Sequence, residues 1–443
     1  MLRWLLKLIF LAFLAFGFYH IAFKEAPDLR LPTAGAEILA ANMPDRGPTQ
    51  PEIRVLVAEA LSEAVLTING RVRMEVRTMQ DQKRIGDFSQ SVAVDVTATG
   101  NGIRIGAEVY MRVKLKNLDS QPLRLAWKDE KNETITIAIP HEIEIYGTHV
   151  ADKAKRTMKP MVRVLARLPI EEYLYGVVRG EVPANWPLEA LRAQAVASRT
   201  YAYFEVKSRG NEEYDVKATT SSQVWRPTLA VEQKVQQAVD STAGIVVTEK
   251  NALIKTFFSS ECGGFTADAR WVFTKAPILA LSGVRCPRCS DRANKPSTWS
   301  ITYTRQEIMQ RLRRAGVVRQ QGEIRVLQGL DAAGNPMGDN LGRVVTVEIV
   351  LAGASGTSLR IPANQFRTAM GTGKDNIAST YMRISGRDEP NITFTGQGWG
   401  HGVGLCQYGA AYAADKMRYN YLDILALYYP GSKPVRLWGR VGQ

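Results

Sequence analysis

Residues 168–210 carry the pattern of two helices separated by a short break, and this stretch limits the possible folds most. Pro169 suits the start of a helix, and apolar residues recur at helical spacing until Gly180, a residue that readily ends helices. Pro187 opens a second helix, whose apolar stripe continues to Gly210. We therefore expect the rest of the chain to be organised around a pair of helices.

Glu181 lies in the break between the two helices. Because Pro183 pushes Val182 into an extended conformation, we expect Glu181 on a short link and not on a helical face. Tyr173 and Trp186 are close in sequence, and apolar, aromatic surroundings raise the pKa of a carboxyl group. A general acid needs a raised pKa at neutral pH, so Glu181 is a candidate catalytic residue.

Arg199 stands on the apolar stripe of the second helix, one turn from Ala195 and from Ala202. A cation in that position needs a buried acceptor. One interpretation is an arginine that reaches the surface or pairs with a structural carboxylate. The other is that Arg199 supports a site built around Glu181.

Three blocks of the sequence carry a family resemblance. They are EYLYGVVRGEVPANWPLEALRAQAVASRTYA at 172–202, FFSSECGGFTAD at 257–268 and FTGQGWGHGVGLCQYGAAYAA at 394–414. In this order they resemble the blocks of the SpoIID/LytB family, the stage II sporulation protein D type of peptidoglycan lytic transglycosylase. The position that matches the catalytic glutamate of the family is Glu181.

The resemblance implies cleavage of the β-1,4 bond between N-acetylmuramic acid and N-acetylglucosamine without net hydrolysis. Glu181 would protonate the leaving oxygen and then deprotonate the muramoyl C6 hydroxyl, which gives a 1,6-anhydro end. An ordinary glycosidase would need a second carboxylate, for which Glu171, Glu172 and Glu189 are nearby candidates. The family is associated with peptidoglycan strands freed of their peptides, so an N-acetylmuramoyl-L-alanine amidase is an expected partner.

We expect further glycan-binding residues in the first and third blocks. They are Gln194, Arg199, Gln397, Trp399, His401, Gln407 and Tyr408.

Glycine alternates with larger residues from Gly396 to Gly404. In an extended chain one face would carry no side chains, while Gln397, Trp399 and His401 would point the other way. Trp399 would then stack on a sugar, and Gln397 and His401 would bond its hydroxyl or N-acetyl groups. The alternative is that the strip packs beneath a helix, with His401 a hydrogen-bonded structural residue.

The sequence has four cysteines, Cys262, Cys286, Cys289 and Cys406. Cys286 and Cys289 have the spacing of a zinc knuckle, which the other two would complete, with His401 as a substitute fourth ligand. Two disulfides equally suit an exported protein, and free or redox-active thiols are the third interpretation.

Two departures from the family blocks bear on that choice. Ser259 stands where the middle block commonly has histidine, and Cys406 stands where the third block commonly has serine. A lost histidine and a gained thiol are compatible with an all-cysteine site here, in place of the mixed Cys/His zinc site of some relatives.

Residues 1–24 have the pattern of an export signal, because Arg3 and Lys7 precede an almost wholly apolar run to Phe23. No Ala-x-Ala site or lipobox cysteine precedes Lys24, which favours an uncleaved signal anchor in the membrane over a removed signal peptide. This orientation would place the body in the cell envelope outside the cytoplasmic membrane, periplasmic or extracellular. Residues 25–50, rich in Pro, Ala and Gly, predict a linker.

The formal net charge is +14. The basic residues are spread along the chain without a nucleic-acid-binding motif, so a nucleic-acid partner is not expected. A polyanionic wall or membrane surface would attract such a protein through a salt-sensitive field. The alternative is a solvated surface that confers solubility.

Residues 51–160 predict short strands separated by turn signals, among them Asn69-Gly70 and Asn101-Gly102. The predicted fold class is α+β, with this β-rich N-terminal part followed by a SpoIID-like catalytic region at 161–437, in which a few helices surround a substrate cleft. A separate binding module at 51–160 is the alternative.

Two alternatives to an enzymatic function are also consistent with the sequence. A non-catalytic glycan-binding protein or amidase activator would need the cleft but not a protonated Glu181. A structural scaffold of a wall-degrading complex would need neither. Replacing Glu181 with glutamine separates catalysis from binding, because it keeps the shape and removes the titrating proton.

Overall fold

A computed structural model describes residues 50–439, except 101, 120–121, 129–131, 153–156, 211, 228–229, 291–296, 353–357, 372–374 and 388. The predicted signal segment at 1–24 lies outside the described residues, as does the predicted linker up to residue 49. Among the residues that are described, no helix combines the length and apolar character needed to cross a membrane.

The described chain is an α+β protein, as predicted, in which strands outnumber helices. The strands are β1 Glu52–Leu61, β2 Glu63–Thr78, β3 Lys83–Thr99, β4 Gly102–Ile105, β5 Glu108–Asn117, β6 Leu123–Lys128, β7 Thr134–Ile139, β8 Glu142–Asp152, β9 Thr157–Pro169, β10 Val216–Lys217, β11 Ile245–Glu249, β12 Ala252–Leu253, β13 Phe258–Ser259, β14 Thr298–Thr304, β15 Ile324–Leu330, β16 Gly342–Arg343, β17 Thr346–Leu351, β18 Ser358–Pro362, β19 Tyr381–Ser385, β20 Asn391–Gln397, β21 Leu405–Cys406 and β22 Lys433–Arg436.

The helices are α1 Ile170–Glu181, α2 Leu188–Arg209, α3 Gln233–Ser241, α4 Pro287–Ser290, α5 Arg305–Arg314, α6 Ala363–Ala369, α7 Gln407–Lys416 and α8 Tyr421–Tyr428. The first two confirm the predicted helical pair.

Ten strands form one long sheet in the order β10-β1-β9-β8-β5-β4-β3-β2-β6-β7. The β-branched and leucine-rich runs predicted for 51–160 supply its core, where Val55, Ile103 and Leu125 are fully buried. The predicted boundary at residue 160 falls inside β9, which passes directly into α1. The sheet therefore fixes the start of the helix that carries Glu181.

One predicted turn in this sheet is wrong. Asn69-Gly70 lies within β2, which pairs with β3 without interruption. Gly70 has a φ of +111°, and a Cβ there would lie only 2.4 Å from the carboxylate of Asp119. That carboxylate accepts a hydrogen bond from the backbone N–H of Arg71 at 2.8 Å. The glycine therefore makes room for a crossing loop and does not end the strand.

The second helix is buried on more sides than its single apolar stripe indicates. Every residue from Ala193 to Ala202 is buried, because α2 contacts α1, α3, α7, α8 and β11. After α2, β10 joins the long sheet in parallel with β1. Arg54 of β1 donates to the buried carboxylate of Asp215 at 2.7 Å from its backbone and 2.6 Å from its guanidinium.

The C-terminal half contributes two further parts. Residues 298–397 form two small sheets with α5 and α6 around a core that includes the fully buried Ile308, Phe366 and Phe394. The short parallel strands β13 and β21 place Ser259 opposite Cys406. This pairing brings the second and third sequence blocks together at the start of α7.

Candidate active site

Glu181 is the last residue of α1, which corrects the prediction that this helix ends at Gly180 with Glu181 on a link. Val182 caps the helix in an extended conformation, with φ −138° and ψ 152°. Pro183 disfavours helical geometry at the residue before it, which explains where the helix ends. The rigid helix therefore sets the direction of the Glu181 side chain.

Two glycines on α1 bring a loop close to Glu181. A Cβ on Gly176 would lie 2.6 Å from the indole nitrogen of Trp225, and one on Gly180 would lie 2.4 Å from the carbonyl oxygen of Val224. The loop uses this space, and the backbone N–H of Val224 donates to Glu181 Oε1 at 2.7 Å. The role of Gly180 is thus close packing and not helix capping.

Gln407 holds the other oxygen of the same carboxyl group. Its Nε2 donates to Glu181 Oε2 at 3.2 Å. Gln407 is the first residue of α7 and follows Cys406 directly. The first and third sequence blocks, which are far apart in the chain, therefore meet at this carboxyl group.

Burial raises the pKa of the Glu181 carboxyl group, against the opposing effects of the hydrogen bonds from Val224 and Gln407 and of the charge of Arg226. The group therefore keeps its proton to a higher pH than an exposed glutamate does. In chemical terms it is suited to donate a proton and to take one back.

The three carboxylates considered as a second catalytic group have other partners. Glu171 pairs with Arg199 at 2.7 Å, and Glu172 lies 2.5 Å from the ring nitrogen of His141. Glu189 accepts from Arg192 at 2.5 Å and from the backbone N–H of Tyr421 at 2.8 Å.

Arg199 has a structural role, because it is buried and bonded to other protein groups. Its side chain is 0% exposed and donates to both oxygens of Glu171, at 2.9 and 2.7 Å. It also donates to the carbonyl oxygens of Val239 and Ile245 at 3.2 and 3.3 Å. The structure therefore corrects the expectation that Arg199 binds glycan and favours its pairing with a structural carboxylate.

Gln194 is also enclosed by the protein. It is 1% exposed, and its Nε2 donates to Ser198 Oγ at 3.0 Å within α2. Its side-chain oxygen has no hydrogen-bond partner among the described residues. The burial of Gln194 contradicts the expectation that it contacts glycan.

An open recess of about 800 Å³, which we call the Trp186 recess, is lined by chain next to Glu181 and Gln407 in sequence, although neither of these two residues lines it. Residues that closely follow Glu181 and Gln407 line it, including Pro183, Asn185, Trp186 and Tyr408. The rings of Trp186 and Tyr408 meet at 5.1 Å and 64°. Tyr408 is 43% exposed, so an aromatic surface is available to a ligand at the residue that follows Gln407.

The alternating glycines of the third block do not form the extended strip expected from sequence. Gly398, Gly400, Gly402 and Gly404 have φ values of +80°, +104°, +77° and +71°. Such values are accessible mainly to glycine, so the chain winds here after β20 ends at Gln397. The strip packs closely on other backbone, since a Cβ on Gly404 would lie 2.0 Å from the carbonyl oxygen of Phe257.

The residues between these glycines have different environments. Trp399 exchanges backbone hydrogen bonds with Glu261 at 2.7 and 3.1 Å, and the residue remains 39% exposed. The carbonyl oxygen of Gln397 accepts from the hydroxyl of Ser379 at 2.6 Å. Trp399 thus keeps a surface for ligand contact, and Gln397 is partly buried.

His401 borders a second cavity, of about 660 Å³, whose lining includes Phe257 and Phe273. Phe257 and Phe273 stack there at 4.2 Å, and the His401 ring meets Phe273 edge-on at 4.9 Å. Nδ1 of His401 accepts from the backbone N–H of Val403 at 3.0 Å. Burial is the main cause that lowers the pKa of His401 to about 3, so its ring is neutral. These contacts favour a hydrogen-bonded structural role for His401.

The four cysteines converge at the start of α7. The Sγ atoms of Cys262, Cys286, Cys289 and Cys406 all lie within 4.8 Å of one another, and all four are thiols. The backbone N–H of Cys262 donates to Cys406 Sγ at 3.4 Å, and the hydroxyl of Tyr428 lies 3.3 Å from Cys286 Sγ. No other group of three or more metal-ligating side chains occurs in the described part of the chain.

This donor set fits a tetrahedral zinc ion. Zn–S bonds of about 2.3 Å place sulfur atoms about 3.8 Å apart, whereas a disulfide joins them at about 2.05 Å. Cys262 Sγ and Cys289 Sγ are 3.7 Å apart. His401, the predicted substitute ligand, lies outside the group.

The sequence did not predict the loop that holds Glu181 or the Trp186 recess. The backbone N–H of Val224 carries no side-chain signal, although Gly176 and Gly180, one helical turn apart, are a sign of close packing. Lys234 and Arg288 line the Trp186 recess from α3 and α4. Neither belongs to a recognised block, so only the folded chain identifies them.

Fold and site together define an α+β protein with a partly buried, hydrogen-bonded glutamate, an open recess lined by neighbouring residues, and a four-cysteine group. A family model described as SpoIID, stage II sporulation protein, matches residues 159–248, which include Glu181.

Three relatives extend this similarity. An uncharacterized protein of Brachyspira hyodysenteriae (strain ATCC 49526 / WA1) is 33% identical over 290 residues, covering 65% of this chain and 72% of that protein. Stage II sporulation protein D of Bacillus subtilis (strain 168) is 29% identical over 338 residues, covering 70% and 90%. The amidase enhancer of the same organism is 29% identical over 290 residues, covering 58% of this chain and 40% of the relative. The chain belongs to the SpoIID family.

Proposed function

We propose that this protein is a peptidoglycan lytic transglycosylase that cleaves the β-1,4 bond between N-acetylmuramic acid and N-acetylglucosamine in peptide-free strands. The observation that carries the proposal is Glu181, a partly buried carboxyl group with a raised pKa. Val224 and Gln407 hold it by two hydrogen bonds, and Tyr408, the residue after Gln407, lines the Trp186 recess. Membership in the SpoIID family and the similarity to an amidase enhancer support a role in the cell wall.

One carboxyl group serves both halves of the proposed reaction. Protonated Glu181 gives its proton to the glycosidic oxygen as the bond from that oxygen to the muramoyl C1 breaks. The resulting carboxylate takes the proton of the muramoyl C6 hydroxyl, whose oxygen bonds to C1 and closes the 1,6-anhydro ring. Water is not consumed, and Glu181 ends the cycle protonated.

The fixed surroundings of Glu181 support this double role. Val224 and Gln407 each hold one carboxyl oxygen, so the group does not need to reorient between the two proton transfers. Among the described residues, neither partner is a carboxylate, and the acids on the flanking helices are paired elsewhere. The arrangement favours a transglycosylase over a hydrolase with two carboxylates.

Three aromatic residues that are at least partly exposed supply the proposed contacts to the glycan. Trp186 and Tyr408 face the Trp186 recess, and the partly exposed Trp399 lies in the third block. Gln407 is proposed to position Glu181 and not to contact the sugar, because its amide is committed to the carboxyl group.

We also propose that Cys262, Cys286, Cys289 and Cys406 hold a structural zinc ion. Zinc with four thiolates is coordinatively saturated, so it would stabilise the fold without acting on substrate. The carbonyl oxygen of Cys262 accepts from the guanidinium of Arg343 at 2.7 Å, which places a cation beside the anionic group. Since Cys406 immediately precedes Gln407, the metal site would also fix the start of α7.

An amidase activator without glycan-cleaving activity is the second candidate, favoured by the similarity to the amidase enhancer. The two candidates share a cell-envelope location outside the cytoplasmic membrane and an amidase partner.

Incubating peptide-free strands with the protein and with Glu181→Gln separates the two candidates. If the protein is a transglycosylase, the wild type should cleave the strands, and Glu181→Gln should bind them and leave them intact. If the protein is an amidase activator, the wild type and the variant should both leave the strands intact, and both should raise the rate of an amidase.

A further inference from the structure

The Trp186 recess has an uneven distribution of charge. Three cations line it, Lys234, Arg288 and Lys416, against one acid, Asp415. Lys416 pairs with Asp415 at 2.9 Å. Arg288 pairs with the buried carboxylate of Glu261 and also lies over the ring of Tyr408, 5.0 Å from its centroid.

Lys234 has no such partner. Its Nζ donates to the carbonyl oxygen of Asn185 at 3.2 Å, and no carboxylate contacts it in the part of the chain that the structure describes. The closest acid in sequence, Glu232, pairs with Arg179 at 3.0 Å. The recess therefore presents one ammonium group whose charge the described protein does not neutralise.

Aromatic surface lies in the same recess. Trp186 and Tyr408 form an edge-to-face pair, and both follow the glutamate and its hydrogen-bond partner closely in sequence. A ring face suits the apolar face of a pyranose, and an ammonium group suits a carboxylate. The ligand that meets both requirements is a sugar that carries a carboxylate.

We propose that the Trp186 recess binds the free lactyl carboxylate of a muramic acid residue through Lys234. This inference rests on the proposed function and adds the group by which the substrate is selected. In a strand of alternating N-acetylglucosamine and N-acetylmuramic acid, only the lactyl group bears a carboxylate. That group is a neutral amide while a peptide is attached, so the recess selects strands on which an amide-cleaving reaction has already acted.

Calorimetric titration of the full-length protein in mild detergent tests this selection. All proteins carry Glu181→Gln, so the strands stay intact and binding is measured without cleavage. The probes are peptide-free strands and the same strands with their lactyl carboxylates converted to methylamides. Lys234→Met removes the cation, Lys234→Arg keeps it, and Lys159→Met, on β9 of the long sheet, is the matched control.

We expect the free carboxylate strands to bind about tenfold more tightly than the methylamides, as for an accessible charge-assisted hydrogen bond. Lys234→Met should reduce this ratio to about one, while Lys234→Arg and Lys159→Met should keep it. Circular dichroism checks that each variant is folded.

Two outcomes overturn the proposal in distinguishable ways. If strands bind but free and amidated forms bind equally, or if folded Lys234→Met keeps the preference, the assignment of Lys234 fails and the proposed function stands. If no strand binds to any of the proteins, the glycan substrate itself is wrong and both proposals fail.

Discussion

Glu181 Oε2 accepts a hydrogen bond from Gln407 Nε2 at 3.2 Å, although 226 positions separate the two residues. The contact joins the end of α1 to the start of α7. It also connects Glu181 to the four-cysteine group, because Cys406 caps the helix that begins with Gln407. The reactivity of the glutamate therefore depends on parts of the chain that fold together only in the complete structure.

Gln407→Leu should move the alkaline limb of the pH–rate profile to higher pH. Gln407 donates to the carboxylate form and so lowers the pKa of Glu181 against the larger effect of burial. Without that donor the carboxyl group keeps its proton to a higher pH, and kcat/KM falls later as pH rises. Gln365→Leu, at an exposed position on α6, is the control. An unmoved limb in Gln407→Leu would show that the titrating group is not Glu181.

Gly180→Ala should destabilise the protein, although alanine is the better helix former. The added Cβ would lie 2.4 Å from the carbonyl oxygen of Val224, so the loop that holds Glu181 must move. We expect a net loss of about 1–3 kcal/mol in the free energy of unfolding, together with reduced activity. Urea unfolding measures the loss. Gly100→Ala, where a Cβ meets no atom within 4 Å, should change stability by about 0.5 kcal/mol or less.

Glu171→Ala should lower the free energy of unfolding by about 3–5 kcal/mol, because it leaves the buried Arg199 without its carboxylate. The comparison is Glu172→Ala, which breaks a pair with His141 whose side chains are 39% and 40% exposed. That change should cost about 1 kcal/mol or less. Equal losses in the two variants would mean that Arg199 does not depend on Glu171.

The protein should contain one zinc ion per chain, measured by elemental mass spectrometry after purification without added metal. Four thiols should react with a thiol reagent only after the metal is removed by a chelator. Cys289→Ser should lower both the zinc content and the melting temperature, since one of four ligands is lost. Four thiols that react only after reduction would instead indicate two disulfides.

The sequence predicts the elements of this fold better than it predicts their contacts. The α1–α2 pair and the β-rich first part follow from local periodicity, which is a property of adjacent residues. The acceptor of Arg199 does not follow from local periodicity, because Glu171 contacts Arg199 only once the two helices pack together. Sequence spacing alone also left zinc, disulfides and free thiols open, whereas the folded chain brings all four sulfur atoms together.

Most of the wrong structural predictions from sequence concern glycines. Gly180 has the expected position for a helix end but serves to admit the Val224 loop, and Gly70 admits Asp119 within a strand. The alternating glycines at 396–404 resemble an extended strip in sequence, yet four of them adopt positive φ. A glycine marks where a side chain is not tolerated, and the neighbour that excludes it is known only from the fold.

The most direct test of the central claim is mass spectrometry of products from peptide-free glycan strands incubated with the full-length protein in mild detergent. The wild type should release fragments with 1,6-anhydromuramic ends, and Glu181→Gln should release at least about 10²-fold fewer. Ordinary reducing ends, 18 mass units heavier because water has been added, would contradict the transglycosylase mechanism. Equal release by both proteins would contradict the assignment of Glu181 as the acid and base.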